Sequence, residues 1–137
     1  MRVIGAAAVA CAPMLLGIGS ACACGEQLSG AMRHVQSAKY EIVFTSLPAP
    51  IETGRHFSLD LAICPRGSAL LPDAVRVDAV MPEHRHGMNY RPEIQSLGGG
   101  RWRVEGLMFH MAGRWEMVFE VAAGAITTRL TDDVVLR

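Results

Sequence analysis

The apolar residues of this chain recur with a period of two in short segments, and this spacing constrains the fold more than any other feature. Residues 57–63 and 115–121 alternate apolar side chains with polar or small ones, which is the pattern of a strand buried on one face. Nowhere is an apolar pattern of period 3.6 sustained over a dozen residues. The chain is therefore predicted to be all-β.

Glycine and proline separate these segments into about seven strands. The predicted strands cover residues 40–44, 57–63, 75–80, 90–97, 102–107, 115–121 and 125–136. Pro92 places the fourth of them at a sheet edge, because proline cannot donate to a strand ladder. Many short strands divided by turn signals are typical of an immunoglobulin-like antiparallel β-sandwich. The length of 137 residues fits one such domain.

Residues 1–24 have the composition of a secretory signal peptide. Arg2 supplies a positive start, an apolar stretch without acidic residues follows, and small side chains end the segment. Cleavage before Cys24 is one interpretation; the other is a degenerate lipobox in which Cys22 or Cys24 carries lipid. Either predicts export to the periplasm or an extracytoplasmic membrane surface, and in the second the protein is lipid-anchored.

The following residues and the charge balance limit the class of protein further. Residues 25–37 are polar and weakly periodic, so they are interpreted as a tether before a domain at 38–137. The chain without its leader has 12 basic and 13 acidic residues, which gives no electrostatic footprint for nucleic acid or for an anionic membrane. A membrane association would then depend on the lipid anchor alone.

Two cysteines follow the leader if cleavage precedes Cys24. Cys24 and Cys64 could form one disulfide in an oxidising compartment, or Cys24 could be lipidated and Cys64 remain free. Two cysteines are too few for a disulfide framework or a cysteine-based zinc site.

The segment 81–88, Met-Pro-Glu-His-Arg-His-Gly-Met, concentrates metal-ligand chemistry. His84, His86 and Met88 are spaced i, i+2 and i+4, so an extended backbone would place all three on one face. Imidazole binds several transition metals, and a thioether selects mainly copper(I). The competing interpretation is an ordinary solvated loop, because a short His-x-His pattern is frequent by chance.

The predicted topology brings further ligands to the same place. In an antiparallel sandwich, alternate connections lie at the same end, and loops at one end of a rigid scaffold often carry a binding site. Four of the five histidines then share one end, whereas His34 falls in the predicted tether. The expected copper ligands are His84, His86 and Met88, with His110 or Met111 completing the set. His56 is predicted to have a structural role rather than to be a ligand.

Two motifs lie close together in this predicted sandwich: Met81-Pro82-x-His84-x-His86-Gly87-Met88, and Met111-x-Gly113-x-Trp115. Together they resemble the YtkA-like domain family, whose relatives include FixH-like proteins, and the likeness extends over about residues 54–122. The resemblance implies a small exported immunoglobulin-like sandwich, often tethered to the membrane, that acts in copper handling or in the assembly of copper oxidases. One departure is Arg85, which occupies a position where the family usually has glycine.

The leading hypothesis is an exported copper-binding protein whose partners are the copper ion and a membrane copper oxidase or its assembly factors. The alternative is a metal-free interaction module that uses the loop at 81–91 as a protein-contact surface, with Met88 and Tyr90 as apolar anchors. An enzyme is not expected. Glu83 lies beside two histidines, but the chain has no His-Glu-x-x-His helix, no nucleophile elbow and no phosphate-binding loop.

Overall fold

The computed structural model describes residues 23–137, so the predicted signal peptide and its lipobox alternative lie almost entirely outside the described residues. Within them there is no helix long and apolar enough to cross a membrane. The described chain forms strands joined by short connections. The nine strands are β1 (Arg33–Gln36), β2 (Tyr40–Leu47), β3 (His56–Pro65), β4 (Ala74–Met81), β5 (His86–Gly87), β6 (Glu93–Gly98), β7 (Arg101–Met108), β8 (Gly113–Ala123) and β9 (Ile126–Leu136).

The strands form two antiparallel sheets that pack face to face. The first sheet has the order β1-β2-β3-β7-β6, and the second has the order β5-β4-β8-β9. Without the short strands β1 and β5, this is the four-over-three arrangement of a constant-type immunoglobulin domain. The predicted all-β, immunoglobulin-like sandwich is therefore confirmed, and the structure adds two strands to the seven expected.

The core lies between the sheets and is built by the period-two residues. In β8, Trp115, Met117, Phe119 and Val121 are fully buried, and their neighbours Glu116 and Glu120 lie on the outer face. Burying each large apolar side chain stabilises the fold by about 1.5–3 kcal/mol. Apolar residues that join the core alternate with outward-facing residues through β3, β4, β7 and β8. A shift of one residue in the pairing of any of these strands would turn its apolar side chains to solvent, so the burial pattern fixes the register.

The polar sequence of residues 25–37 predicts a tether, but in the structure this segment lies against the first sheet. Cys24 forms a disulfide with Cys64, and Leu28 is buried against Val43 and Ala62 on the outer face of that sheet. The sulfur of Cys24 is therefore in a disulfide, the first of the two alternatives for this residue. The segment packs here because Val43 and Ala62 would otherwise expose apolar surface to water.

An ion pair ties the same N-terminal segment to the second sheet. The Nε of Arg33 in β1 donates a hydrogen bond of 2.6 Å to Oδ2 of Asp132 in β9. This bond raises the pKa of Arg33 above its ordinary value. Strands β1 and β9 are outer strands of different sheets, so the pair bridges the two layers of the sandwich along one side.

The register defines two ends of the sandwich. Tyr40 pairs with Pro65 at one end and Leu47 pairs with Ser58 at the other. The histidine end comprises the connections at 48–55, 82–92 and 109–112. The leucine end comprises the connections at 37–39, 66–73, 99–100 and 124–125.

Candidate metal site at the histidine end

A tight hairpin between β4 and β5 positions the first two histidines. Met81 pairs with His86, and the Met81 carbonyl accepts hydrogen bonds from the backbone N–H groups of His84, at 3.2 Å, and Arg85, at 2.9 Å. Arg85 ends the loop with φ of 56°, in the left-handed region that favours glycine. His84 therefore lies in the turn, whereas His86 is on the strand.

Three imidazole rings form a row at this end. The ring centroids of His84 and His86 are 5.8 Å apart, and those of His86 and His110 are 5.1 Å apart. His110 belongs to the connection between β7 and β8, so two separate connections meet here, as the sequence predicts. His86 is the central ring of the row.

Trp115 forms the floor beneath these rings. It is fully buried, and its ring centroid lies 5.8 Å from that of His86 and 5.3 Å from that of His110, both edge-on. Its indole N–H donates a hydrogen bond of 3.0 Å to the carbonyl of Met111, and Phe109 stacks on it at 4.8 Å. Trp115 thus fixes the backbone of the connection that carries His110.

The methionines occupy three different surroundings. Met88 is half-buried and packs against the core, and Met111 is 37 % exposed at the rim. Met81 is fully buried and stands directly opposite His86, so the two side chains share one face of the hairpin. Met81 is therefore a third thioether close to the row. From the sequence, Met81 is predicted only to end a strand and not to bind metal.

Gly113 leaves room for the Met81 side chain. A Cβ on Gly113 would lie 2.8 Å from the Met81 methyl carbon, and Gly113 has φ of 122°. The backbone conformation therefore favours glycine at this position, and a larger residue would also have to displace the Met81 methyl.

The other two histidines lie apart from the row. His56 begins β3, and its ring packs edge-on against Tyr90 at 5.1 Å, so it approaches the connection at 82–92 through an aromatic contact. His34 is exposed on β1, with its Nδ1 3.6 Å from Oε1 of Glu41. His34 is therefore outside the site, as the sequence predicts.

The charged side chains around the row are mostly directed to solvent. Arg114 lies 3.1 Å from Asp133 and 3.9 Å from Glu83. Glu83, the acidic residue of the hairpin loop, is mainly exposed and faces this arginine. Its position gives no general base held against a histidine.

A metal ion needs imidazole nitrogens about 2.0–2.1 Å away, which places two ligating ring centroids at most about 6.4 Å apart. Both neighbouring pairs in the row meet that limit. Among residues 23–137, however, no three His, Cys, Asp or Glu side chains form a preassembled metal site, so side chains would have to rotate to surround an ion.

The nitrogens of the row are nevertheless little used by the protein. Nδ1 of His110 is buried without a hydrogen-bond partner, and Nδ1 of His86 lies 3.2 Å from its neighbouring carbonyl, that of Gly87. A buried nitrogen without a partner is costly, and a metal ion would satisfy it. The donor set of imidazoles and thioethers therefore fits a soft ion after side-chain rotation.

Comparisons with protein-family models, with curated proteins and with solved structures gave no match. The resemblance to the YtkA-like domain family consequently rests on the two motifs alone.

Proposed function

We propose that this protein is an exported copper-binding protein that acts in copper handling or in the assembly of a copper oxidase. The observation that carries the proposal is the row of His84, His86 and His110 over a buried tryptophan, with thioethers beside it. Imidazole and thioether bind copper without a thiolate, which an oxidising compartment would convert to a disulfide. The Cys24–Cys64 disulfide is compatible with such a compartment.

His86 and His110 are the central ligands in this proposal, because they are the closest pair of the row. His84 in the exposed turn is the third. Copper(I) is satisfied by two or three such ligands with a thioether. The sequence predicts Met88 as this thioether, with Met111 as a further candidate, and Met81 is a third. The exposed His84 and Met111 lie where an ion would enter or leave, and a partner oxidase or assembly factor would approach this rim.

The proposal is tested by titrating residues 23–137 with copper(I) under a competing chelator. Trp115 supplies an internal signal, since a bound copper ion beside its ring quenches indole emission. The Trp102→Phe variant removes the other tryptophan, which lies in β7 toward the leucine end. We expect one ion to bind with submicromolar affinity, to quench Trp115, and to bind more weakly as the pH is lowered, because ligation needs neutral imidazole.

Matched variants decide which residues bind. His86→Ala/His110→Ala should abolish both competition and quenching, whereas His34→Ala/His56→Ala changes the same number of histidines outside the row and should leave both intact. Equal binding by the two double variants would refute the assignment.

The second candidate function is a metal-free interaction module. Its supporting observation is a cleft of about 640 Å³ whose lining includes Met88, Tyr90 and Ile94, with Tyr90 42 % exposed. Here the loop at 81–91 would contact a protein partner. Co-purification of a membrane oxidase subunit that survives chelation and the His86→Ala/His110→Ala change would favour this candidate over copper binding.

A further inference from the structure

The leucine end carries an exposed apolar tip, defined here as Leu70, Leu71 and Ile126. These side chains are 73 %, 54 % and 57 % exposed, and Leu97 beside the neighbouring turn is also exposed. Leu70 and Leu71 are adjacent in the connection between β3 and β4, and Ile126 begins β9 after the turn at 124–125. Clustered exposed leucine and isoleucine at one end indicate a contact surface.

The backbone holds this tip in a fixed position. The Tyr40 hydroxyl donates a hydrogen bond of 2.9 Å to the Leu70 carbonyl. At the base of the same connection, the Arg66 N–H bonds to the Lys39 carbonyl at 2.7 Å, and its guanidinium bonds to the Ser37 carbonyl at 2.8 Å. The leucines are therefore presented to solvent by an ordered connection, which reduces the entropic cost of docking.

The connections around the tip carry two cations and one acidic residue. Lys39 and Arg66 are exposed, and the one acidic residue of the connections at this end, Asp73, accepts a 2.6 Å hydrogen bond from the Gly124 N–H. The near-neutral chain as a whole has no general attraction for an anionic surface, so the attraction is local. It would add a membrane contact to the lipid anchor, on which the sequence alone predicts membrane association to depend. Apolar side chains flanked by cations are the pattern of proteins that lie on anionic lipid.

The path of the chain points to the same surface. Cys24 is joined to Cys64, next to the last residue of β3, so the chain connects to residues 1–22 on the leucine-end side. In the alternative in which Cys22 carries lipid, the anchor would therefore lie on this side of the domain. A second copy of this protein is a poorer occupant, because a symmetric contact would bring Lys39 and Arg66 against their own equivalents.

We propose that the apolar tip docks on an anionic phospholipid bilayer, with Leu70, Leu71 and Ile126 entering the interface and Lys39 and Arg66 facing lipid phosphates. Strand β4 runs from this end to the histidine row over eight residues. At about 3.4 Å per residue, the docked protein holds the histidines about 25 Å from the lipid surface.

The test is vesicle flotation of residues 23–137, which contain both sheets, the core and the disulfide; the apolar leader is omitted because it would bind lipid by itself. We expect binding to phosphatidylcholine vesicles that contain about one third phosphatidylglycerol and much weaker binding to pure phosphatidylcholine. Leu70→Ser/Leu71→Ser should lower binding at least tenfold. Lys39→Ala should lower it about fivefold, since a surface cation is worth about 1 kcal/mol.

Val135→Ser is the matched control, because Val135 is 65 % exposed in β9 near the histidine end and should not contact lipid. The His86→Ala/His110→Ala variant should float like the unaltered chain, so failure of the copper proposal would not affect this one. Absent flotation, or equal loss in Val135→Ser and the leucine variant, would overturn the proposal. Dimerisation in solution that the leucine variant abolishes, without lipid binding, would assign the tip to a second copy instead.

Discussion

Replacing Arg85 by glycine should stabilise the protein. Among residues 23–137, Arg85 is the one non-glycine residue with positive φ, at 56°. This backbone conformation costs an L-residue about 1–2 kcal/mol of conformational energy, and it costs glycine nothing. Glycine loses about 0.5–1 kcal/mol more backbone entropy on folding, so the expected net gain in the free energy of unfolding is about 0.5–1 kcal/mol.

The Arg85 side chain should contribute little to offset this gain. It is exposed, and the ion pairs found in the described part of the chain do not include it. Arg85→Ala is the matched control, because it removes the same side chain but keeps the cost of positive φ. Urea or thermal denaturation should show Arg85→Gly melting about 3–5 °C above the unaltered chain, and Arg85→Ala should show no gain. A glycine variant no more stable than the alanine variant would refute the reasoning.

The same pair of variants separates backbone strain from charge at the proposed copper site. Both remove a cation next to His84 and His86, so both should tighten copper binding by about two- to fivefold, the effect of one solvent-screened charge at about 6–8 Å. Stability should differ between the two variants, while affinity should not.

Two further changes test packing. The Cys24→Ala/Cys64→Ala variant removes a disulfide whose cysteines are 40 residues apart in sequence. Because the unfolded chain is then less restricted, the free energy of unfolding measured in urea should fall by about 4 kcal/mol. A fall below about 1 kcal/mol would contradict this explanation. Gly113→Ala should cost about 1–3 kcal/mol in the same assay, because the backbone has positive φ and the Met81 methyl, 2.8 Å from the added Cβ, would have to move. Gly106→Ala, with φ of 84° and no atom within 4 Å of the added Cβ, carries the strain alone and should cost less.

The central strands could be predicted because their register and their burial pattern agree. Phe57, Leu59, Leu61 and Ile63 alternate along β3 and all face the core, so the sequence contains the burial information directly. Strand β1 could not be predicted in this way, since Arg33, His34 and Gln36 are exposed and one edge of the strand pairs with β2. Its place depends on Leu28 and the disulfide, which act at long range.

For the histidine row, the sequence predicts which connections share one end of the sandwich but not how the side chains are arranged there. Antiparallel connections place His86 and His110 at one end, and this follows from strand order. The pairing of Met81 with His86 depends instead on a four-residue loop, and hence on Arg85 adopting positive φ. An extended backbone over residues 84–88 would place His84 on the same face as His86, but the turn before β5 places His84 at the exposed rim of the site instead.

The two proposals together constrain what could accept copper from this protein. The connection that carries Leu70 and Leu71 leads into β4, which ends at Met81 opposite His86, so one strand links the apolar tip to the histidine row. A sandwich seated on lipid by its tip would hold the row about 25 Å above the surface, and the rigid β-sheet allows little bending toward it. A copper site within the bilayer would then be out of reach. The acceptor would have to present its ligands in a domain that projects from the membrane to about the height of His84 and Met111.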